Sequence, residues 1–355
     1  MAVITGTNWN AYDASTMTAK EIYGRTLAAL AENNDRIVGV TADLEKTTAI
    51  KFFADKFPDR FYNVGIAEQN MMGIAAGLAK AGFIPFASTM AIFACMRAGE
   101  QVRTDIAYQN LPVKIIATHA GISFGHAGTT HHCTEDFAIM RAIPNMTVIC
   151  PADGIETSKA VQACVDLPGP VYVRIGRGFE PPAYADDNYT YEIGKAITMH
   201  EGTDLTIITC GIGVLQAVNA AKTLAETDGL SVRVINMHTI KPIDREAIMS
   251  AVVDTRRILT VEEHNILGGL GDAVASVIAE SGKGCVFKKH GMQDTFATIG
   301  YAEDLYSYYQ FDANGIVDKV REMMGMEFEP DENWDDDSWE NDDDWRAAVG
   351  WDDDD

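Results

Sequence analysis

Two patterns alternate along this chain. Short, strand-like, mainly apolar runs occur at Ile37–Val40, Phe61–Val64, Ile84–Phe86, Val113–Thr118, Val148–Cys150 and Val171–Arg174. Between them lie longer stretches with the periodicity of amphipathic helices, including Glu68–Lys80, Ile92–Tyr108 and Ile155–Asp166. Strands buried on both faces, alternating with helices, predict an α/β fold with a mainly parallel sheet flanked by helices. Ahead of the first strand, Thr18-Ala-Lys-Glu21 pairs a capping hydroxyl with an acid three residues on. A helix should open there and run to about Asn33.

A second α/β series follows. Its strands are expected near Leu205–Thr209, Val232–Asn236, Ile258–Val261 and Val286–Lys288, with helices between them and a last one near Asn314–Met324. Residues 178–192, with Pro181, Pro182 and several Asp, Asn and Tyr, read as a linker, and the boundary falls near residue 190. The expected layout is an N-terminal extension (1–15), a first domain (16–180), the linker (181–192), a second domain (193–326) and a tail (327–355). In the tail, Trp334, Trp339, Trp345 and Trp351 punctuate an Asp-rich run with almost no aliphatic content. Such a segment buries too little surface to offset its ordering entropy, so disorder is the expectation there.

Composition mainly excludes. The net charge of −24 is uneven: the tail holds 15 acidic residues against Arg346, or −14, and leaves −10 on the body. With no basic stripe to neutralise phosphates, nucleic-acid binding is disfavoured. The longest uncharged apolar stretch, Ala81–Met96, is shorter than the roughly 20 residues a membrane span needs, and Gly82 and Pro85 interrupt it. No basic region followed by an apolar core opens the chain, so no signal peptide is read. Six cysteines without a C-x-x-C pair read as reduced, mostly buried thiols of a cytoplasmic protein.

Three segments invite chemistry. In Tyr62-Asn-Val-Gly-Ile-Ala-Glu68-Gln69 a strand ends, a glycine turns the chain, and a carboxylate sits in the first turn of the next helix. On its own that is also how a helix dipole is complemented. His119 and Phe124-Gly-His126-Ala-Gly-Thr-Thr-His131-His132 form a histidine-rich loop. The spacing matches no common zinc pattern and no nearby Cys or acid pair completes a ligand set, so no metal is expected. Gly268-Gly-Leu-Gly271 lacks the full dinucleotide-binding spacing and a ribose-binding acid, and is discarded as such a site.

The wider text carries a resemblance. The Glu68 segment, then Ala75-Ala-Gly-Leu78, Ser88-Thr-Met-Ala-Ile-Phe93, Asn110-Leu-Pro-Val113, His119-Ala-Gly-Ile122, Thr130-His131 and Pro151-Ala-Asp153 resemble the pyrimidine-binding domain of transketolases, in order and spacing. Val261-Glu-Glu-His264 and Gly268-Gly-Leu-Gly271 look like the transketolase C-terminal domain, so the resemblance covers roughly residues 15–326. It implies a thiamine-diphosphate-dependent enzyme that transfers a two-carbon ketol unit from a ketose phosphate, or a similar acidic sugar, to an aldose. Glu68 would share a proton with N1′ of the cofactor's aminopyrimidine, Phe93 would stack against that ring, and Asp43 would join the cofactor contacts. His131 would act at the reacting carbons. His119, Arg177, Thr47 and Lys20 would bind the substrate phosphate, for which a guanidinium fork is suited. For Lys20 alone, a solvated surface position is the favoured reading.

The same resemblance implies a partner. Full-length transketolases grip the diphosphate and Mg²⁺ with an earlier domain that carries a Gly-Asp-Gly segment, absent from this sequence. A second, N-terminal subunit holding diphosphate and Mg²⁺ is therefore expected, in a two-plus-two heterotetramer that shares the cofactor. Met90 and Met96 replace aromatic residues of the common pattern, and Ala127, after His126, stands where an acid usually meets a donor hydroxyl. Loss of a hydroxyl-recognising carboxylate is a specificity change, so the sugar stays open. Other readings are a 2-oxoacid dehydrogenase beta subunit, a deoxyxylulose-phosphate-synthase-like enzyme, and a non-catalytic regulatory relic.

Overall fold

The helix opened by Thr18 spans Ala19–Ala31, and its cap is reciprocal: the Glu21 N–H donates to the Thr18 hydroxyl while the Thr18 N–H donates to Glu21 Oε2 at 2.9 Å. The computed structural model describes residues 3–4, 9–178 and 180–325, so the tail and its four tryptophans lie outside the described residues.

A seven-stranded sheet forms the first unit. Its order is Thr239–Lys241, Thr147–Ile149, Val171–Arg174, Lys114–Thr118, Ile84–Met90, Ile37–Thr41 and Phe61–Asn63. The last six are parallel to their neighbours. Every residue of Ile37–Thr41, Ile84–Met90, Lys114–Thr118 and Val171–Arg174 is buried, as expected for inner strands covered on both faces, whereas Phe61–Asn63 at the sheet edge is half-buried to exposed. A second sheet runs Val286–Met292, Arg257–Asn265, Leu205–Thr209, Val232–Asn236 and Ile197–His200, with only the last strand antiparallel.

The two units are not separate bodies. Thr239–Lys241 follows the strand Val232–Asn236 of the second sheet, yet pairs antiparallel with Thr147–Ile149 at the edge of the first. One apolar cluster runs from Val40, Ala75 and Ile115 through to Ile208, Ile235 and Leu270. Between the units lies a buried polar junction. Arg174 Nε sits 2.9 Å from Asp136 Oδ2, Tyr172 donates to the same oxygen at 2.8 Å, and Arg174 Nη2 donates to the Glu263 carbonyl at 2.8 Å.

The helix expected over Ile92–Tyr108 is wound differently. Phe93–Arg97 and Val102–Ala107 are wide π turns flanking Gly99–Gln101, closed by bonds from Ala98 N–H to the Phe93 carbonyl and from Tyr108 N–H to the Arg103 carbonyl. Such turns cluster at functional sites.

The glycine-rich Gly268–Gly271 opens the helix Leu270–Ser281. Its N-terminus receives the Glu262 carboxylate, which accepts from the N–H groups of Leu270 (2.6 Å) and Gly271 (2.8 Å). The position a bound phosphate would need is thus filled from within the chain. A Cβ on Gly269 would collide with that carboxylate.

Candidate functional site

In an open parallel sheet the carboxyl ends of the strands form the binding edge. The candidate residues lie along this edge in strand order. Arg177 follows Val171–Arg174, His119 follows Lys114–Thr118, Phe93 follows Ile84–Met90, Asp43 and Thr47 follow Ile37–Thr41, and Glu68 follows Phe61–Asn63. Four inter-strand steps at about 4.8 Å put the two ends of this row roughly 19 Å apart.

At the Glu68 end, Gly65 turns the chain at φ 76° and Glu68 opens the helix Glu68–Lys80. Its side chain is 1% exposed. Oε2 accepts from Arg97 Nη1 at 2.9 Å, and the Arg97 guanidinium carbon lies 4.2 Å above the centroid of the Phe93 ring. Phe93 and Arg97 share the first wide turn, which brings them together. Asp43 is exposed and left-handed (φ 62°), and the Asn63 side chain ties it down. Its N–H donates to Asn63 Oδ1 at 3.0 Å, and Asn63 Nδ2 donates back at 3.4 Å.

The middle of the edge is built around Phe124. Its ring centroid lies 4.9 Å from that of His119, 5.0 Å from His126 and 5.4 Å from His131, and the Arg177 guanidinium sits 4.7 Å over it. His131 also meets Phe93 edge-on at 5.5 Å, joining this group to the Glu68 end. Its Nδ1 is paired with the Thr130 hydroxyl at 2.9 Å, and among the described residues no partner takes its Nε2. Burial and then the Arg97 charge hold the His131 imidazole below its ordinary pKa.

At the far end, His119 is buried with φ 59°, and its Nδ1 is paired with the Thr118 hydroxyl at 2.8 Å. Its pKa is pushed down to about 3, by burial first and then by the charges of Lys20, Arg177 and His131. His119 is therefore neutral at physiological pH. Lys20 is itself lowered by burial and by the Arg177 charge, partly offset by Glu180 and Glu21. His119, Arg177 and Lys20 thus form one electropositive locus. Lys20 is half-buried. Thr47 sits half-buried in the turn after Ile37–Thr41, and among the described residues no hydrogen bond draws it into that locus.

The pattern departures sit on the same edge. Met90 is buried at the end of its strand, Ala127 closes a short helical turn beside His126, and Met96 is exposed next to Arg97. Among the described residues, no group of three or more His, Cys, Asp or Glu side chains is placed to hold a metal ion.

Three parts of the site escaped sequence reasoning. Arg97 bridges Glu68 and Phe93, Phe124 is the hub of the histidine loop, and Glu263 of the second unit steadies that loop. Glu263 Oε1 accepts from the Ile122 N–H at 2.9 Å, and Tyr306 donates to the same oxygen at 3.1 Å. The Phe93–Arg97 spacing of four is a helical-neighbour signal. Phe124 and Glu263 lie within segments the sequence singles out, but nothing local marks these roles for them.

Comparison with known proteins gives the lineage. Residues 15–180 match the transketolase pyrimidine-binding domain and residues 194–316 the transketolase C-terminal domain. A putative transketolase C-terminal section from Methanocaldococcus jannaschii is 44% identical over 306 residues, covering 86% of this chain and 96% of the relative. The chain belongs to the transketolase family.

Other relatives place it among split members. One of the subunits of an apulose-4-phosphate transketolase from Phocaeicola vulgatus is 40% identical, over 84% of this chain and 95% of the relative. A solved split-gene transketolase, an inactive β4 tetramer, superposes with a TM-score of 0.79 at 41% identity, covering 88% of this chain and 99% of its own. A 1-deoxy-D-xylulose-5-phosphate synthase from Halothermothrix orenii is 34% identical over 87% of this chain, which spans only 49% of that relative. No helix among the described residues is long and apolar enough to cross a membrane.

Proposed function

We propose that this chain is the pyrimidine-binding subunit of a thiamine-diphosphate-dependent transketolase that works with a diphosphate-binding partner. The observation that carries this reading is the ordered edge. A buried carboxylate and an aromatic face stand at one end, an electropositive pocket at the other, and a histidine free at Nε2 between them.

The residues present fit the cofactor's aminopyrimidine. A flat, hydrogen-bonding group that stacks on Phe93 can reach Glu68, because the Arg97 guanidinium does both. Thiamine diphosphate, when bound, supplies the carbon nucleophile and electron sink for cleaving a bond beside a carbonyl. Glu68 holds a proton at N1′ of the pyrimidine, and Phe93 fixes the ring's plane. His131, oriented by Thr130, moves a proton at the reacting carbons. Arg177 and Lys20 bind the acidic end of the sugar by charge, and neutral His119 adds a hydrogen bond. A phosphate or a sulfonate would suit that pocket, and the replaced Ala127 leaves the donor sugar open.

The partner would hold the diphosphate and Mg²⁺ in a two-plus-two heterotetramer. The inactivity of the β4 tetramer of a split-gene relative supports this need for a second subunit. Free, largely buried cysteines suit a reducing cytoplasm. The test is ketol transfer from a ketose phosphate to an aldose, measured for the chain alone, for the partner alone and for the two together with thiamine diphosphate and Mg²⁺. Activity in the mixture only is the expected result. Tight, magnesium-dependent binding of the cofactor by this chain alone defeats the split-site reading. The similarity to deoxyxylulose-phosphate synthases favours one alternative, in which the mixture forms 1-deoxy-D-xylulose 5-phosphate instead of transferring a ketol unit from a ketose.

A further inference from the structure

Arg97 makes both contacts that the proposed pyrimidine site offers: it donates to the buried Glu68 carboxylate and it covers a face of Phe93. Both contacts serve one planar group, delivered by a long side chain that remains 47% exposed. Among the described residues, Glu68 is its sole ion-pair partner.

We propose that Arg97 is a displaceable stand-in for the aminopyrimidine, pairing Glu68 and covering Phe93 in the unloaded subunit and swinging out when the cofactor ring enters. The inference rests on the reading of Glu68 and Phe93 as the pyrimidine site. Three physical points carry it. A carboxylate as buried as Glu68 is unfavourable without a counter-charge, so something must pair it before the cofactor arrives. Stacked rings sit with centroids roughly 4.5–7 Å apart, so a ring on that face of Phe93 needs the volume the guanidinium fills. Glu68 is fixed at the start of a helix beneath the surface, whereas Arg97 has solvent to move into. Loading is then an exchange, in which the pyrimidine replaces a guanidinium of like shape and hydrogen-bonding sense. That exchange lowers the apparent cofactor affinity, which protects the unassembled subunit from holding a half-built site.

The test is a calorimetric titration of the assembled complex, in Mg²⁺, with thiamine diphosphate and separately with the thiazole diphosphate fragment that lacks the pyrimidine. Arg97→Ala should tighten thiamine diphosphate by about tenfold, the scale of one lost charge-assisted hydrogen bond, and leave the fragment's Kd unchanged. Arg97→Lys keeps the charge without the flat stack and should tighten it less. Phe93→Ala should weaken thiamine diphosphate and spare the fragment. If Phe93→Ala is selective in that way but both Arg97 variants bind thiamine diphosphate equally or more weakly than the parent, Arg97 is a permanent support of Glu68 and the inference fails alone. If Phe93→Ala affects cofactor and fragment alike, the pyrimidine-site reading fails and takes the inference with it.

Discussion

Glu263, in the second unit, accepts a 2.9 Å hydrogen bond from the backbone N–H of Ile122, three residues beyond His119 in the first. Gly121, between them, sits at φ 61°, and a Cβ there would strike the Glu263 carboxylate. A residue of the C-terminal unit thereby sets the loop that carries the electropositive end of the site. Glu263 is buried, its pKa is pushed up to about 7 by burial, and the Arg174 charge works against that rise.

Removing this brace should be felt at the anion end. Glu263→Ala leaves the Ile122 N–H unsatisfied, a loss of about 1–3 kcal/mol. The expected outcome is a raised KM for phosphorylated acceptors with a lower melting temperature. Glu263→Gln, which can still accept from Ile122, should recover most of the KM.

Glu68→Gln in the assembled enzyme should nearly abolish turnover while assembly persists. The amide still reaches N1′, but it cannot share a proton there. Exchange of the cofactor's C2 proton, followed by NMR, should slow by orders of magnitude. Unchanged exchange would return Glu68 to a role at the helix end alone.

The buried inner strands and the Glu68 turn were legible in the sequence because burial on both faces leaves a mainly apolar run, and a glycine turn before a helix is a local signal. Thr239–Lys241 was not legible, since three residues at a sheet edge carry no period. The wide turns at Phe93–Arg97 and Val102–Ala107 share an amphipathic pattern with an ordinary helix. Arg97 and Glu263 acquire their roles only through partners 29 and 141 residues distant, at Glu68 and Ile122. At the Gly268–Gly271 turn, the Glu262 carboxylate that fills the helix N-terminus could be found only in the structure.

Acid should destabilise the protein partly through His119. Its pKa is about 3 in the folded chain against an ordinary 6.5, so below pH 6.5 the unfolded chain takes up a proton that the folded chain refuses. Stability therefore falls as pH drops from about 6.5 toward 3, by up to about 1.4 kcal/mol per pH unit from this group. His119→Asn should flatten that part of the profile, read as the difference in urea midpoints between parent and variant from pH 7 to pH 4. A constant difference across that range would mean His119 titrates normally.

Arg177 separates a substrate clamp from a structural support. Its guanidinium is stacked on Phe124, its backbone N–H donates to Ser123 at 3.1 Å, and its charge acts on His119 and Lys20. A charge-assisted bond from it to a phosphate or sulfonate is worth roughly 1.5–3 kcal/mol, about 10- to 150-fold in an equilibrium constant. Arg177→Ala should lower kcat/KM for phosphorylated acceptors by that range. Part of the loss should fall on kcat, because binding energy at the remote end also positions the reacting end. Glycolaldehyde is short and offers no charge for Arg177 to pair, so the variant should use it nearly as well as the parent. Arg177→Lys keeps charge but not the fork, and should recover part of the loss on phosphorylated acceptors only. Equal losses on both acceptors, with a lowered melting temperature, would show that Arg177 supports the Phe124 hub and binds no substrate.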